Sequence, residues 1–149
     1  MSETTQIPDS KLHAWRTFLF TQARVLDALD KELSSEIGLS LSWYDVLVQL
    51  HEAGESVRMG DLSRSLLISA SAGTRLIDRM ERHGLVSREP CADDRRVTFV
   101  ALTDQGRDKL REAAPVHMAG IERHFTGLIS SSEAGQLDSI LRPVLDAHS

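Results

Sequence analysis

One cysteine, Cys91, occurs in the 149 residues. This excludes an internal disulfide framework and any zinc site built from several cysteines of one chain, and leaves only a bridge between two copies. No apolar run approaches the ~20 residues needed to span a bilayer. The polar opening Met1–Ser10 lacks the basic and apolar regions of a signal peptide, so a cytoplasmic protein away from membranes is expected. There is no glycine-rich phosphate loop, no Ser-His-Asp or Cys-His set and no pair of buried carboxylates at a strand end; neither a catalytic centre nor a cofactor is expected. Repeats and low-complexity tracts are lacking too, and aromatic residues make up only 5%. What is present, 41% hydrophobic and 26% charged residues, suits one domain of roughly 100–200 residues with a buried core.

The formal charge of −5 and a pI near 5.6 argue, over the whole chain, against a nucleic-acid binder, whose usual footprint is basic. The charge is uneven, however. Between Arg58 and Arg111 lie eleven basic and eight acidic residues, a local +3, which leaves −8 for the remainder. Such asymmetry points to one anion-facing surface on an otherwise acidic protein.

Hydrophobic spacing predicts the elements. Pro8 breaks structure and Ser10 is placed to cap an amphipathic helix over Ser10–Leu33, with Leu12, Trp15, Leu19, Leu26, Leu29 and Leu33 on one stripe. At about 24 residues it is twice the usual globular helix of ~11–12, so part of its stripe is expected to pack on a second copy of the chain. Ser40 or Ser42 introduces a helix over Trp43–Glu52, and two short helices follow at Met59–Leu66 and Ser69–His83, the second stopped by Gly84. The period then changes: Leu85–Glu89 and Arg96–Leu102 flank the turn-rich Pro90–Arg95, which predicts a β-hairpin. Thr103 opens another long helix with Leu110, Ala114, His117, Ile121, Phe125 and Leu128 inward, kinked or divided at Pro115. Ser130 and Glu133 form a capping box for a last helix through Leu137, Ile140, Leu141, Val144 and Leu145.

Two short helices joined tightly, with a hairpin directly after the second, is the winged helix-turn-helix arrangement. On a 100° wheel the second helix puts Gly73, Leu76, Ile77 and Met80 on one side and Ser71, Thr74, Arg75, Asp78, Arg79 and Arg82 on the other. Its small opening residues, Ser69-Ala70-Ser71-Ala72-Gly73, allow close approach to a groove floor, and Arg75 is long enough to reach guanine O6 and N7. The hairpin tip carries Asp93-Asp94-Arg95-Arg96; adjacent arginines there suit the narrow, electronegative minor groove, with Asp93 placed to hold Arg95 extended. The alternative for each is a solvated helix face and an exposed ion pair.

Ser40-Leu41-Ser42-Trp43-Tyr44-Asp45, Met59-Gly60-Asp61-Leu62-Ser63-Arg64, Arg82-His83-Gly84-Leu85-Val86, Asp93-Asp94-Arg95-Arg96-Val97 and Leu102-Thr103-Asp104-Gln105-Gly106 carry a resemblance over nearly the whole chain. Together they resemble the MarR family of winged helix-turn-helix transcriptional regulators. The resemblance implies a mainly α fold with a small β-hairpin wing, in which a winged helix-turn-helix lobe (40–102) sits between dimerisation helices (10–37 and 103–147). It implies a homodimer on a pseudopalindromic operator, probing DNA with Ser69, Ser71, Ala72, Thr74, Arg75, Arg79, Asp93, Arg95 and Arg96, where Asp93 with Arg95 matches the Asp-x-Arg motif of the wing. It also implies a small aromatic effector where lobe and dimer body meet, for which Trp15, Phe18, Trp43, Tyr44 and His51 are the candidates, with Arg16 or Arg24 for a carboxylate. Packing is the competing role for each aromatic residue. Cys91, flanked by Arg88, Arg95 and Arg96 but opposed by Asp93 and Asp94, is assigned no redox role. His13, His117 and His124 lack the further ligands of a closed metal set, so helix-interface roles are expected for them. The expectation is a repressor relieved by its ligand; a dimeric winged-helix module that binds protein rather than DNA is the alternative.

Overall fold

The computed structural model describes residues 4–66 and 70–149. Its elements run α1 (Asp9–Glu36), α2 (Leu41–Ala53), β1 (Val57–Arg58), α3 (Met59–Ser65), α4 (Ala70–Arg82), β2 (Val86–Pro90), β3 (Thr98–Leu102), α5 (Asp104–His124) and α6 (Ser131–Asp146). This mainly helical architecture with a small antiparallel sheet agrees with the sequence expectation.

Local chemistry sets most boundaries. α1 is longer than predicted at 28 residues, and Pro8, not Ser10, occupies its cap position without any side-chain cap. The Pro8 carbonyl instead accepts from the amides of Lys11 and Leu12, and the ring fixes a φ suited to helix entry. Ser40 caps α2 by accepting from the Trp43 amide, while Asp30 accepts from the Leu41 amide at 2.8 Å and ties α1 to α2. The Thr103 hydroxyl accepts from the Gly106 amide at 3.0 Å and donates to the Gly84 carbonyl at 2.6 Å. Gly84 has φ +78°, the left-handed stop after α4. At Gly106 a Cβ would stand 2.1 Å from the Leu85 carbonyl oxygen, so only glycine lets α5 start against β2.

The helix α5 runs unbroken through Pro115, so the expected division does not occur. Its buried residues are Gly106, Leu110, Ala113 and Gly120; Ala114 is only half-buried. Leu128 belongs to a separate 3-10 turn, Thr126–Leu128, and is exposed, since α5 ends at His124 before carrying it inward. The Ser130–Glu133 capping box forms as expected, with both reciprocal bonds present.

The sheet has the order β1-β3-β2, all antiparallel, with Val57 opposite Val100 and Arg88 opposite Val100 on the other side. The two-residue strand β1 has too little sequence to show a period and was not foreseen. Below the sheet lies one core, built from Val46, Leu47 and Leu50 of α2, Leu62 of α3, Leu76, Ile77 and Met80 of α4, Val86 and Val100, and closed by Leu33, Leu110 and Ala113 from α1 and α5. The wheel prediction for α4 is matched: Gly73, Leu76, Ile77 and Met80 are buried while Arg75, Arg79 and Arg82 are exposed. By contrast, no residue of α1 before Val25 is even half-buried, and α6 buries none fully.

Candidate nucleic-acid interface

The helix pair α3–α4 and the β2–β3 hairpin lie on one side of the core and present the basic surface. With Leu76, Ile77 and Met80 fixed inward, helical geometry turns Ala72, Arg75, Asp78, Arg79 and Arg82 outward, where they border a shallow depression of about 350 Å³. Ser71 and Thr74 share that exposed side. Ser69 lies outside the described residues. A second groove of about 420 Å³ opens between the start of α3, the flank of α4 and the base of the wing; Arg58, Arg64, Thr74, Arg88, Arg96 and Thr98 are among its walls. Arg64 is paired within α3 to Asp61.

At the wing tip the pair that forms is Asp94 with Arg96, not the expected Asp93 with Arg95. The Val97 amide donates to the Asp94 carbonyl at 3.0 Å, closing a turn that brings the Asp94 carboxylate to the Arg96 amide (3.0 Å) and Nε (3.2 Å). The Asp-x-Arg spacing is therefore kept, one residue along. The Arg96 amide, then its guanidinium, hold the Asp94 carboxyl below the ordinary carboxylate range, and nearby Arg58 adds to this. The Arg96 side chain is 91% exposed, so the pair adds little to stability and leaves the guanidinium facing outward. Asp93 and Arg95 are exposed beside it.

Arg88, which sequence reasoning used only as a neighbour of Cys91, joins α4 to the wing. From β2 its guanidinium reaches Asp78 and Glu81 of α4, bonding Glu81 at 3.1 and 3.3 Å, while the Arg88 amide donates to the other Glu81 oxygen at 2.9 Å. Glu81, then Asp78, push the Arg88 pKa further up from its already high ordinary value. The signal available was spacing: Glu81 and Arg88 are seven apart across the reversal at Gly84, so helix and strand place them face to face.

The effector candidates are spread over the molecule. Trp15 and Phe18 sit together on the exposed part of α1, ring centroids 6.3 Å apart, and Arg16 and Arg24 line a depression along the same helix with His13 and Phe20. Trp43 packs edge-on against His83 at 5.0 Å, Tyr44 is buried against His117 at 4.4 Å, and His51 lines a separate hollow beside Leu102 and Arg107. Within one chain these five side chains are not brought to one cavity. Burial depresses the His117 pKa, and its Nδ1 is enclosed with no hydrogen-bond partner among the described residues. His124 bonds Glu32, which also receives Arg123 at 2.9 Å, so it clamps α5 to α1. Hydrogen bonding from His124, ahead of Arg123, lowers the Glu32 pKa. Among the described residues no group of three acidic, His or Cys side chains could hold a metal ion, and no helix is long and apolar enough to cross a membrane. Cys91 is a free, half-buried thiol.

Comparison with known proteins bears on this surface. A family model described as MarR family matches residues 37–97. Transcriptional repressor MprA of Escherichia coli (strain K12) is 27% identical over 145 residues, which cover 97% of this chain and 81% of the relative. The crystal structure of AbsC, a MarR family transcriptional regulator from Streptomyces coelicolor, superposes with a TM-score of 0.88 at 36% identity and covers 97% of both chains. Sco3205, another from Streptomyces coelicolor and solved in complex with DNA, gives a TM-score of 0.89 at 28% identity over 99% of this chain and 92% of its own.

Proposed function

Because the chain belongs to the MarR family of transcriptional regulators, and is a regulator rather than an enzyme, we infer that it binds duplex DNA as a homodimer in the cytoplasm and represses transcription. The carrying observation is the juxtaposition of the exposed arginines of α4 with the Asp94–Arg96 wing tip on one side of a single core. α4 enters a major groove with Ser71, Ala72, Thr74, Arg75 and Arg79, joined by Ser69 just before it in sequence, and the wing offers Asp93, Arg95 and Arg96 to the flanking minor groove. Residues 40–102 form the reading lobe, while 10–37 and 103–147 form the dimer body. The half-sites of a pseudopalindromic operator then lie about one helical turn, ~10 bp, apart. Repression is favoured by the likeness to the transcriptional repressor MprA, and duplex binding by the likeness to Sco3205, solved in complex with DNA.

We further infer that a small aromatic effector relieves that repression by acting at the seam between lobe and dimer body, where Tyr44 packs against His117. The test of the main reading is selection of bound duplexes from a random pool, followed by mobility-shift titration at rising salt. An affinity that falls steeply with salt, as phosphate neutralisation requires, supports it. Failure to retain any duplex would favour a protein-interaction module instead. For the effector, salicylate added to the dimer–operator complex should release DNA, and no release at saturating ligand counts against this ligand class.

A further inference from the structure

We propose that Arg88 is a positioning residue that locks the wing to the recognition helix, so that α4 and the wing tip meet DNA as one rigid body. The proposal rests on the DNA-binding reading of the lobe. The core residues Leu85 and Val86 anchor only the base of β2. Arg88 fixes the strand two residues farther toward the tip, and it does so with four separate contacts: its amide, Nε and Nη2 to Glu81, and its Nη1 to Asp78. Asp78 and Glu81 are three apart and share one side of α4, so a planar guanidinium can fork between them where a lysine, a point charge, would serve one at a time. The arginine side chain is 32% exposed and both carboxylates 36%, half-removed from solvent, unlike the open Arg107–Asp104 pair on α5. From Arg88 the strand runs to Pro90 and directly into the turn that carries Asp94 and Arg96.

The fork has a second consequence. Asp78 lies on the outward side of α4 between Arg75 and Arg82, where an uncompensated carboxylate would repel phosphate. Arg88 cancels that charge from the wing side of the helix. Its donors are thereby committed to the protein, so Arg88 acts on DNA through the wing rather than by touching it.

A double-mutant cycle between Arg88→Ala and Arg96→Ala, read by mobility shift on a selected duplex, tests this. Each single change should weaken binding by about tenfold. If Arg88 works by holding Arg96 in place, the second change costs less than about threefold once the first is made, because the wing contact is already lost. Additive losses, about a hundredfold together, would overturn the proposal and make Arg88 an independent contact. Arg88→Lys keeps the charge and guards against a folding defect, checked by thermal unfolding without DNA. It should show the same loss of coupling, and wild-type binding by this variant would also refute the fork. An unmodified chain that selects no duplex would instead overturn the DNA reading itself, before any variant is made.

Discussion

Leu47 of α2 and Ile140 of α6 are both aliphatic residues on a regular helical stripe, yet Leu47 is fully buried and Ile140 is 68% exposed. The contrast extends to the regions around them. Residues of the lobe, together with Leu33, Leu110 and Ala113 from the adjoining helices, close a core of their own. All of the large exposed hydrophobic residues among those described, Trp15, Phe18, Leu19, Ile140, Val144 and Leu145 included, lie outside 41–102. Regular helical stripes of large apolar residues left open to water are the mark of an interaction surface. The apolar stripe of α2 is covered within the chain and those of α1's first half and α6 are not; in the proposed dimer a second copy covers them. The charge is uneven as well, but along a different line: residues 58–111, which include α3, α4, the wing and the start of α5, carry a local +3, and the remaining residues, α2 among them, carry −8.

The sharpest way to break the comparison is to charge the arms alone. Leu19→Asp combined with Val144→Asp should convert a dimer to a monomer in sedimentation and lower operator affinity by a hundredfold or more, roughly the avidity lost when two linked sites become one. The lobe should still unfold cooperatively. A doubly substituted chain that sediments as the wild type would mean that this face is not where two copies meet. Within that monomeric background, the two residues of the opening contrast should differ in kind. Leu47→Ala should cost about 2–5 kcal/mol in chemical denaturation, through lost transfer energy and a cavity. Ile140→Ala should stay within about 0.5 kcal/mol, as a surface change does. Similar losses at the two sites would show α6 to be packed on its own chain.

A smaller effect separates reading from holding within the lobe. Arg75→Ala should cost about 1–3 kcal/mol of operator affinity and relax preference at one position per half-site if the guanidinium reads a base. Uniform weakening across all sequences, with a salt slope reduced by about one, would reassign it to a phosphate.

What was legible in the sequence follows from how local its cause is. The inward face of α4, the Gly84 stop and the Ser130–Glu133 box each depend on residues within one or two turns, and each appears as expected. The strand β1 was not legible, because two residues have no period and Val57 takes its strand pairing from Val100, 43 positions away in sequence. The wing pair slipped by one residue for a similar reason: Asp-Asp-Arg-Arg contains two overlapping Asp-x-Arg spacings, and only the Asp94–Val97 turn selects between them. Arg88 was overlooked because its role depends on Asp78 and Glu81 arriving from another element. The aromatic candidates are hardest of all, since half-exposed Trp15 and buried Tyr44 follow the same helical spacing and differ only in what packs over them.

The smallest predicted effect lies on the seam between the two regions. His117 of α5 packs at a tilt against Tyr44 of α2, ring centroids 4.4 Å apart, with Nδ1 enclosed and unbonded among the described residues. Burial lowers its pKa from the ordinary 6.5, so the folded protein holds the ring neutral where the unfolded chain would already take up a proton. Stability from this site is therefore complete above about pH 6.5 and declines as the pH falls from there toward the lower folded value. Thermal midpoints of the wild type should drop across that window more than those of His117→Phe, which keeps a ring against Tyr44 but cannot titrate. The Glu32 clamp contributes in the same direction but at lower pH: its depressed carboxyl stabilises the fold above about 4.5, and that stabilisation fades as pH falls further. A wild type and a His117→Phe variant with parallel pH curves between pH 6.5 and the Glu32 range would show that the seam ring carries no proton-linked energy. A gap that opens only there would place a weak, pH-sensitive contact between α2 and α5.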